Sequence, residues 1–178
     1  MRQSSPMASS RKPVIVRTFS RDWYAGYVGS EGMGLSTELE ILDLSGKILR
    51  FEWNQVKWVC SVRELPSTDT AAPERLLRRR FQVRPRSAGL WLRLTLTDGD
   101  EIEGLAANDR SLIDGAGLLL TPPDTRSNTQ RIYIPRPSIQ TLEVLGLIAP
   151  ARLRPATIAP LDQPRLFPHE DAGELGPR

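Results

Sequence analysis

Apolar residues fall on alternating positions along Leu90-Trp91-Leu92-Arg93-Leu94-Thr95-Leu96-Thr97, and a period of two over that length predicts a half-buried β-strand. Asp98-Gly99 follows, a pair that supplies the positive φ values a tight hairpin demands. The alternating Glu101-Ile102-Glu103-Gly104-Leu105 completes the hairpin. Later, Arg131-Ile132-Tyr133-Ile134 and Ile139-Gln140-Thr141-Leu142-Glu143-Val144 read as two short strands. Pro135-Arg136-Pro137-Ser138 between them leaves room only for a sharp turn or one 3-10 turn. The first half holds matching pieces: Val14-Ile15-Val16, then Ile48-Leu49-Arg50-Phe51 and Val56-Lys57-Trp58-Val59 around Glu52-Trp53-Asn54-Gln55. Third strands are expected near Leu39-Glu40-Ile41-Leu42 and Leu118-Leu119-Leu120.

Laid on each other, the halves align Val14-Ile15-Val16 with Leu92-Arg93-Leu94, Gly26 with Gly104, Phe51 with Ile134 and Val56 with Ile139. Five strands in so short a span bury a core only by curling, and a glycine on the second strand permits the bend. The expected fold class is therefore mainly β: two small five-stranded barrels in tandem with extended Pro-rich tails. The expected boundaries are an N-terminal tail over 1–12, a first barrel over 13–65, an Arg-rich linker over 66–87, a second barrel over 88–148 and a tail over 149–178. Prolines 150, 155, 160, 164, 168 and 177 keep the last segment out of a sheet interior or long helix. In the linker, Pro73 to Arg80 reads as a short helix with proline in its first turn.

Composition adds limits. With 39% hydrophobic and 25% charged residues, 178 residues suffice for two modest cores. No run approaches the length needed to cross a bilayer, and the N-terminus lacks an apolar signal core, so a cytoplasmic protein is expected. The lone Cys60 excludes an intramolecular disulfide and a cysteine-based zinc site; it reads as a small buried side chain. His169, the one histidine, lies in the Pro-rich tail, which leaves no apparent activating pair for Cys60 and argues against an enzyme. Asp98, Asp100, Glu101 and Glu103 crowd one hairpin, but without calcium-loop spacing, and alternation points the strand carboxylates at solvent. No catalytic residue, metal site or cofactor is expected.

The second half, with Asp98-Gly99 at its turn, Gly104 soon after and Ile132-Tyr133-Ile134-Pro135 before Ile139, resembles an Sm-like (LSm/Hfq-type) domain, which implies that the expected five-stranded barrels are SH3-like/Sm-like. The first half resembles it more weakly, and the tandem looks like an uncharacterised bacterial family of paired Sm-like domains. In RNA-binding members, loops after the second and fourth strands supply an Asp/Asn pair and an Arg-Gly pair. Asp109 and Arg136 fall near those places, but no asparagine follows Asp109 at the family spacing and Pro137 replaces the glycine. The resemblance thus implies the fold without implying RNA binding.

The net charge of +3 is mild, and it concentrates in the linker. Arg75, Arg78, Arg79, Arg80, Arg84 and Arg86 form the leading candidate binding cluster, because guanidinium groups pair bidentately with carboxylate or phosphate. Trp23, near the first hairpin tip, and Trp53, in the short turn, are candidate exposed anchors for a protein interface. Together these features predict a structural or adaptor subunit docking on other protein subunits, with an anionic membrane surface as a further contact. The competing expectation is an Sm-like nucleic-acid-binding regulator, recognisable by salt-sensitive binding.

Overall fold

The computed structural model describes residues 11–29, 33–34, 36–65, 79–124 and 126–149. Ten strands and one short helix make it mainly β: β1 (Lys12–Thr18), β2 (Trp23–Val28), β3 (Glu38–Asp43), β4 (Ile48–Glu52), β5 (Val56–Val62), β6 (Gly89–Leu96), β7 (Glu101–Ala106), α1 (Ser111–Asp114), β8 (Gly117–Thr121), β9 (Thr129–Pro135) and β10 (Ile139–Ile148). A 3-10 turn, Arg136–Ser138, joins β9 to β10. The predicted tails, 1–12 and 149–178, lie outside the described residues except for positions 11, 12 and 149, and the expected linker helix does so except for Arg79 and Arg80.

All ten strands belong to one antiparallel sheet in the order β10-β6-β7-β8-β9-β5-β1-β2-β3-β4. This corrects the expectation of two closed five-stranded barrels. The second half repeats the strand order of the first, but neither group closes on itself. Instead β5 pairs with β9, setting Val59 opposite Tyr133, Cys60 opposite Ile132 and Ser61 opposite Arg131. The reason is main-chain satisfaction: an open group of strands leaves a row of unpaired N–H and C=O groups at each edge, and an edge of the neighbouring group pairs with it.

The cores follow this junction. One gathers Leu92, Leu94, Leu96, Ile102, Leu118, Leu120, Ile132 and Ile134 from the second half with Ile15, Trp58, Cys60 and Val62 from the first. The other gathers Val14, Val16, Leu39, Ile41, Phe51 and Val59 from the first half with Tyr133 from the second. Each core therefore borrows side chains across the seam, which independent barrels do not do. The seam also carries a buried hydrogen bond, Ser138 Oγ donating to the Val56 carbonyl at 2.6 Å. At its margin, Lys57 Nζ reaches Asp98 and Asp100 at 2.5 Å each.

Gly26 and Gly104 occupy matching places, opposite Val14 and Leu92 respectively. A Cβ on Gly26 would collide with the Leu42 carbonyl oxygen, and one on Gly104 would lie 2.7 Å from Leu120 Cβ. Since β2 and β3 pair over only Gly26–Asp43 and Tyr27–Leu42, the glycine lets the strands approach where the ladder is shortest. Gly26→Ala is expected to cost about 2 kcal/mol of unfolding free energy, because backbone must shift to admit one methyl group. Urea unfolding measures it; a loss below a few tenths would show that the approach is not tight.

Candidate docking surface

Two features of the sheet hold the candidate surface residues: the segment entering β6 and the two outer strands. Of the arginine cluster, Arg75 and Arg78 lie outside the described residues. Arg79 and Arg80 are already engaged. The Arg79 guanidinium sits 3.2 Å from Asp100 and 5.7 Å above the Trp58 ring, and Arg80 pairs with Glu101. Arg84 and Arg86 are exposed, as is Arg80 despite its ion pair.

Glu103 explains how this segment is held, a role that alternation along β7 did not reveal. It is 3% exposed, although its place in the strand predicted a carboxylate in solvent. Its Oε2 accepts from the Phe81 amide at 3.1 Å and from Trp91 Nε1 at 3.2 Å, and its Oε1 accepts from Arg93 Nη2 at 3.0 Å. The Glu103 amide in turn donates to the Arg79 carbonyl at 2.6 Å, and Phe81 meets Trp91 edge-on at 5.9 Å. Burial pushes the Glu103 carboxyl up, but the Phe81 amide, Arg93 and Trp91 outweigh it and leave the carboxyl below its usual range. Asp100 is likewise lowered, chiefly by its hydrogen bond from Lys57. The four hairpin carboxylates thus meet Lys57, Arg79, Arg80 and Arg93 rather than facing one another.

The tryptophans differ from their expected exposure. Trp53 is half-buried; its Nε1 donates to the Ser36 carbonyl at 2.9 Å, and its ring meets Tyr133 edge-on at 5.4 Å. Trp23 is also half-buried, packed against the core that crosses the seam. Cys60 is buried, as its apolar reading implied. Asp109 accepts from the Ser111 amide at 2.9 Å. Arg136 spends its guanidinium on the carbonyls of Leu112, Ser111 and Gly115, at 2.9, 3.2 and 3.3 Å. Their geometry closes a loop instead of presenting both groups outward.

Sequence reasoning missed the outer strands as surfaces. β10 is one edge of the sheet and β4 the other. Leu142 and Val144 oppose the core residues Leu94 and Leu92, so they share the apolar face, yet Val144 is 56% exposed and Leu142 38%. On β4, Ile48 is 57% exposed. β5 and β9, which hold the corresponding places at the seam, are mostly buried. The available signal was the register itself: aligning Val56 with Ile139 already puts an apolar strand at the end of the chain of ladders.

Among the described residues no helix is long and apolar enough to cross a membrane, and no group of three or more His, Cys, Asp or Glu side chains is placed to hold a metal ion. No curated protein and no solved structure matches the chain. A family model spanning residues 10–146 does match, covering both five-strand groups and the seam between them, and the chain accordingly belongs to the family of unknown function designated DUF6982.

Proposed function

We propose that this protein is a non-catalytic structural subunit that assembles with other protein subunits, copies of itself included, through the outer strands of its sheet. The observation that carries the reading is the apolar face of β10, which runs uncovered to an open edge; exposed apolar edges are sites of strand addition. Each five-strand group is read here as an Sm-like unit left open at one side.

The β5–β9 ladder supplies a template for the contact. β5 and β10 skip one residue at the same place against their neighbours, Lys57 in one and Gln140 in the other. Val59 opposes Val16 as Leu142 opposes Leu94. Leu118 opposes Ile134 as Leu39 opposes Phe51. Carrying the seam's register to the free edges sets Leu142 against Arg50, Glu143 against Leu49 and Val144 against Ile48 of the next copy. The last pair joins two exposed apolar side chains, and the contact is head-to-tail. Arg84 and Arg86 remain outward for an acidic protein face or an anionic membrane surface. Nucleic-acid binding has less to draw on, with Asp109 and Arg136 committed within their own loop.

Sedimentation of the full chain across the micromolar range tests the reading. Concentration-dependent association abolished by Leu142→Lys with Val144→Lys, variants that keep the β-sheet circular dichroism, is the expected result. A chain that stays monomeric alone and recovers no protein partner from its own cells through β10 would overturn it.

A further inference from the structure

We propose that the cleft at the seam between the two five-strand groups binds a small, flat organic acid: a ring-sized apolar body carrying one carboxylate. The cleft has a volume of about 370 Å³, within the range of small-ligand sites. It is bounded by both groups: Lys12, Gly29 and Gly34 from the first, and Gly115, Gly117 and Tyr133 from the second. Four glycines bring main chain into its wall beside the apolar side chains of Val28, Met33 and Leu119, which leaves room for a flat, ring-sized body.

The second observation is a polar atom with nothing to bond. Tyr133 is 6% exposed, and its hydroxyl is the one buried side-chain polar atom among the described residues that lacks a hydrogen-bond partner. Leaving such a group unpaired costs about 1–3 kcal/mol, and phenylalanine would fill the same space without that penalty. The ring is pinned by Trp53 on one side and by its place in the ladder between Val59 and Leu119, so the hydroxyl does not swing out to water. Gly34 and Gly117, which both press on the Tyr133 ring and hydroxyl, line the cleft. A Cβ on Gly117 would lie 2.5 Å from the hydroxyl oxygen, and one on Gly34 would collide with it. Glycine at these two positions keeps side chains out of the space between the hydroxyl and the cleft that Tyr133 lines.

The chemistry of the ligand follows from the three kinds of wall. Burial raises the Tyr133 phenol above its usual pKa, which keeps it a donor that requires an oxygen acceptor. Lys12, exposed at the start of β1, brings a cation to the rim and favours an anion. The remaining surface is mostly apolar and takes a hydrocarbon body. A carboxylate on a flat ring system answers all three.

The probe is 2-naphthoate, with 2-naphthalenemethanol as its uncharged counterpart, followed by amide NMR on the full chain. Saturable shifts at the Gly29, Gly34, Gly115 and Gly117 amides are expected. Tyr133→Phe should weaken naphthoate by about five- to tenfold, the worth of one lost hydrogen bond, while melting at the same or a higher temperature than wild type. Lys12→Gln should narrow the preference for the acid over the alcohol. No saturable shift at these amides, shifts confined to another surface, or equal affinity in Tyr133→Phe would each overturn the proposal. The sedimentation behaviour proposed above is measured separately, so either reading can fail without the other.

Discussion

Trp58→Ala is expected to cost about 3–5 kcal/mol of unfolding free energy, the range for emptying a buried tryptophan site, and to weaken both halves of the protein together. Trp58 lies on β5 in the first half but belongs to the core built mainly by β6 to β9. It is 2% exposed, with Lys57 Nζ 4.8 Å from its ring and the Arg79 guanidinium on the same indole. Truncation therefore opens a cavity in the second half's core and removes the platform under two cations that tie the hairpin to the seam. Urea unfolding followed by circular dichroism, and separately by fluorescence of the remaining tryptophans, checks this. One coincident transition, shifted to lower urea, is expected. Two separate transitions, or a loss under 1 kcal/mol, would mean that the halves keep independent cores after all.

The second large effect is predicted for Glu103. Removing its carboxylate by Glu103→Ala strands the Phe81 amide and the Trp91 indole N–H, and leaves Arg93 without its buried partner. Stranded buried donors cost about 1–3 kcal/mol each. Arg93 is one-third exposed and regains water, so a total of about 3 kcal/mol is expected. Glu103→Gln keeps an acceptor and should lose roughly half as much. The functional consequence is local: the segment carrying Arg79, Arg80, Arg84 and Arg86 loses its anchor at Phe81, while the Arg79 carbonyl and the Arg80–Glu101 pair still hold it to β7. Hydrogen exchange at the Phe81 amide reads that directly, and protection there should fall in Glu103→Ala.

The pH dependence has a definite sign. The folded carboxyl of Glu103 titrates below its ordinary range, so its contribution is complete above the unfolded pKa and is lost as pH falls through the depressed folded value. Protection of Phe81 should decline in that acid range in the wild type and lose that dependence in Glu103→Gln. Unchanged protection in both variants would remove Glu103 from this role.

Much of the local structure was legible in the chain. The alternation over Leu90–Thr97 became β6, Asp98-Gly99 became the β6–β7 turn with Gly99 at a φ of 84°, and Pro135 to Ser138 became a 3-10 turn entering β10. Gly26 and Gly104 stand at equivalent points because a crowded bend admits no side chain, a demand that a single residue type can meet. Of the proposed surface, Arg84 and Arg86 were legible as exposed cations, while Arg79 and Arg80 were not legible as ion pairs. Their partners, Asp100 and Glu101, are some twenty residues away, and proximity of that kind is set by the path of the segment across β7. Glu103 misled for a related reason. Alternation assigns a strand residue to one of two faces, but it does not say what will later be laid over that face.

What remained out of reach was the identity of neighbouring edges. Strand edges present the same N–H and C=O groups whatever the side chains, so nothing along the chain marks β5 for β9 rather than for closure within its own group. The amino-acid pattern settled the strands, their turns and their inward faces, because alternation, Asp-Gly and proline act over a few residues. The three-dimensional packing settled the single open sheet, the shared cores, the buried Glu103 and the uncovered face of β10. Those depend on which distant edges meet, and that choice is made by the summed burial of Trp58, Cys60, Ile132 and Tyr133 across the seam rather than by any local signal.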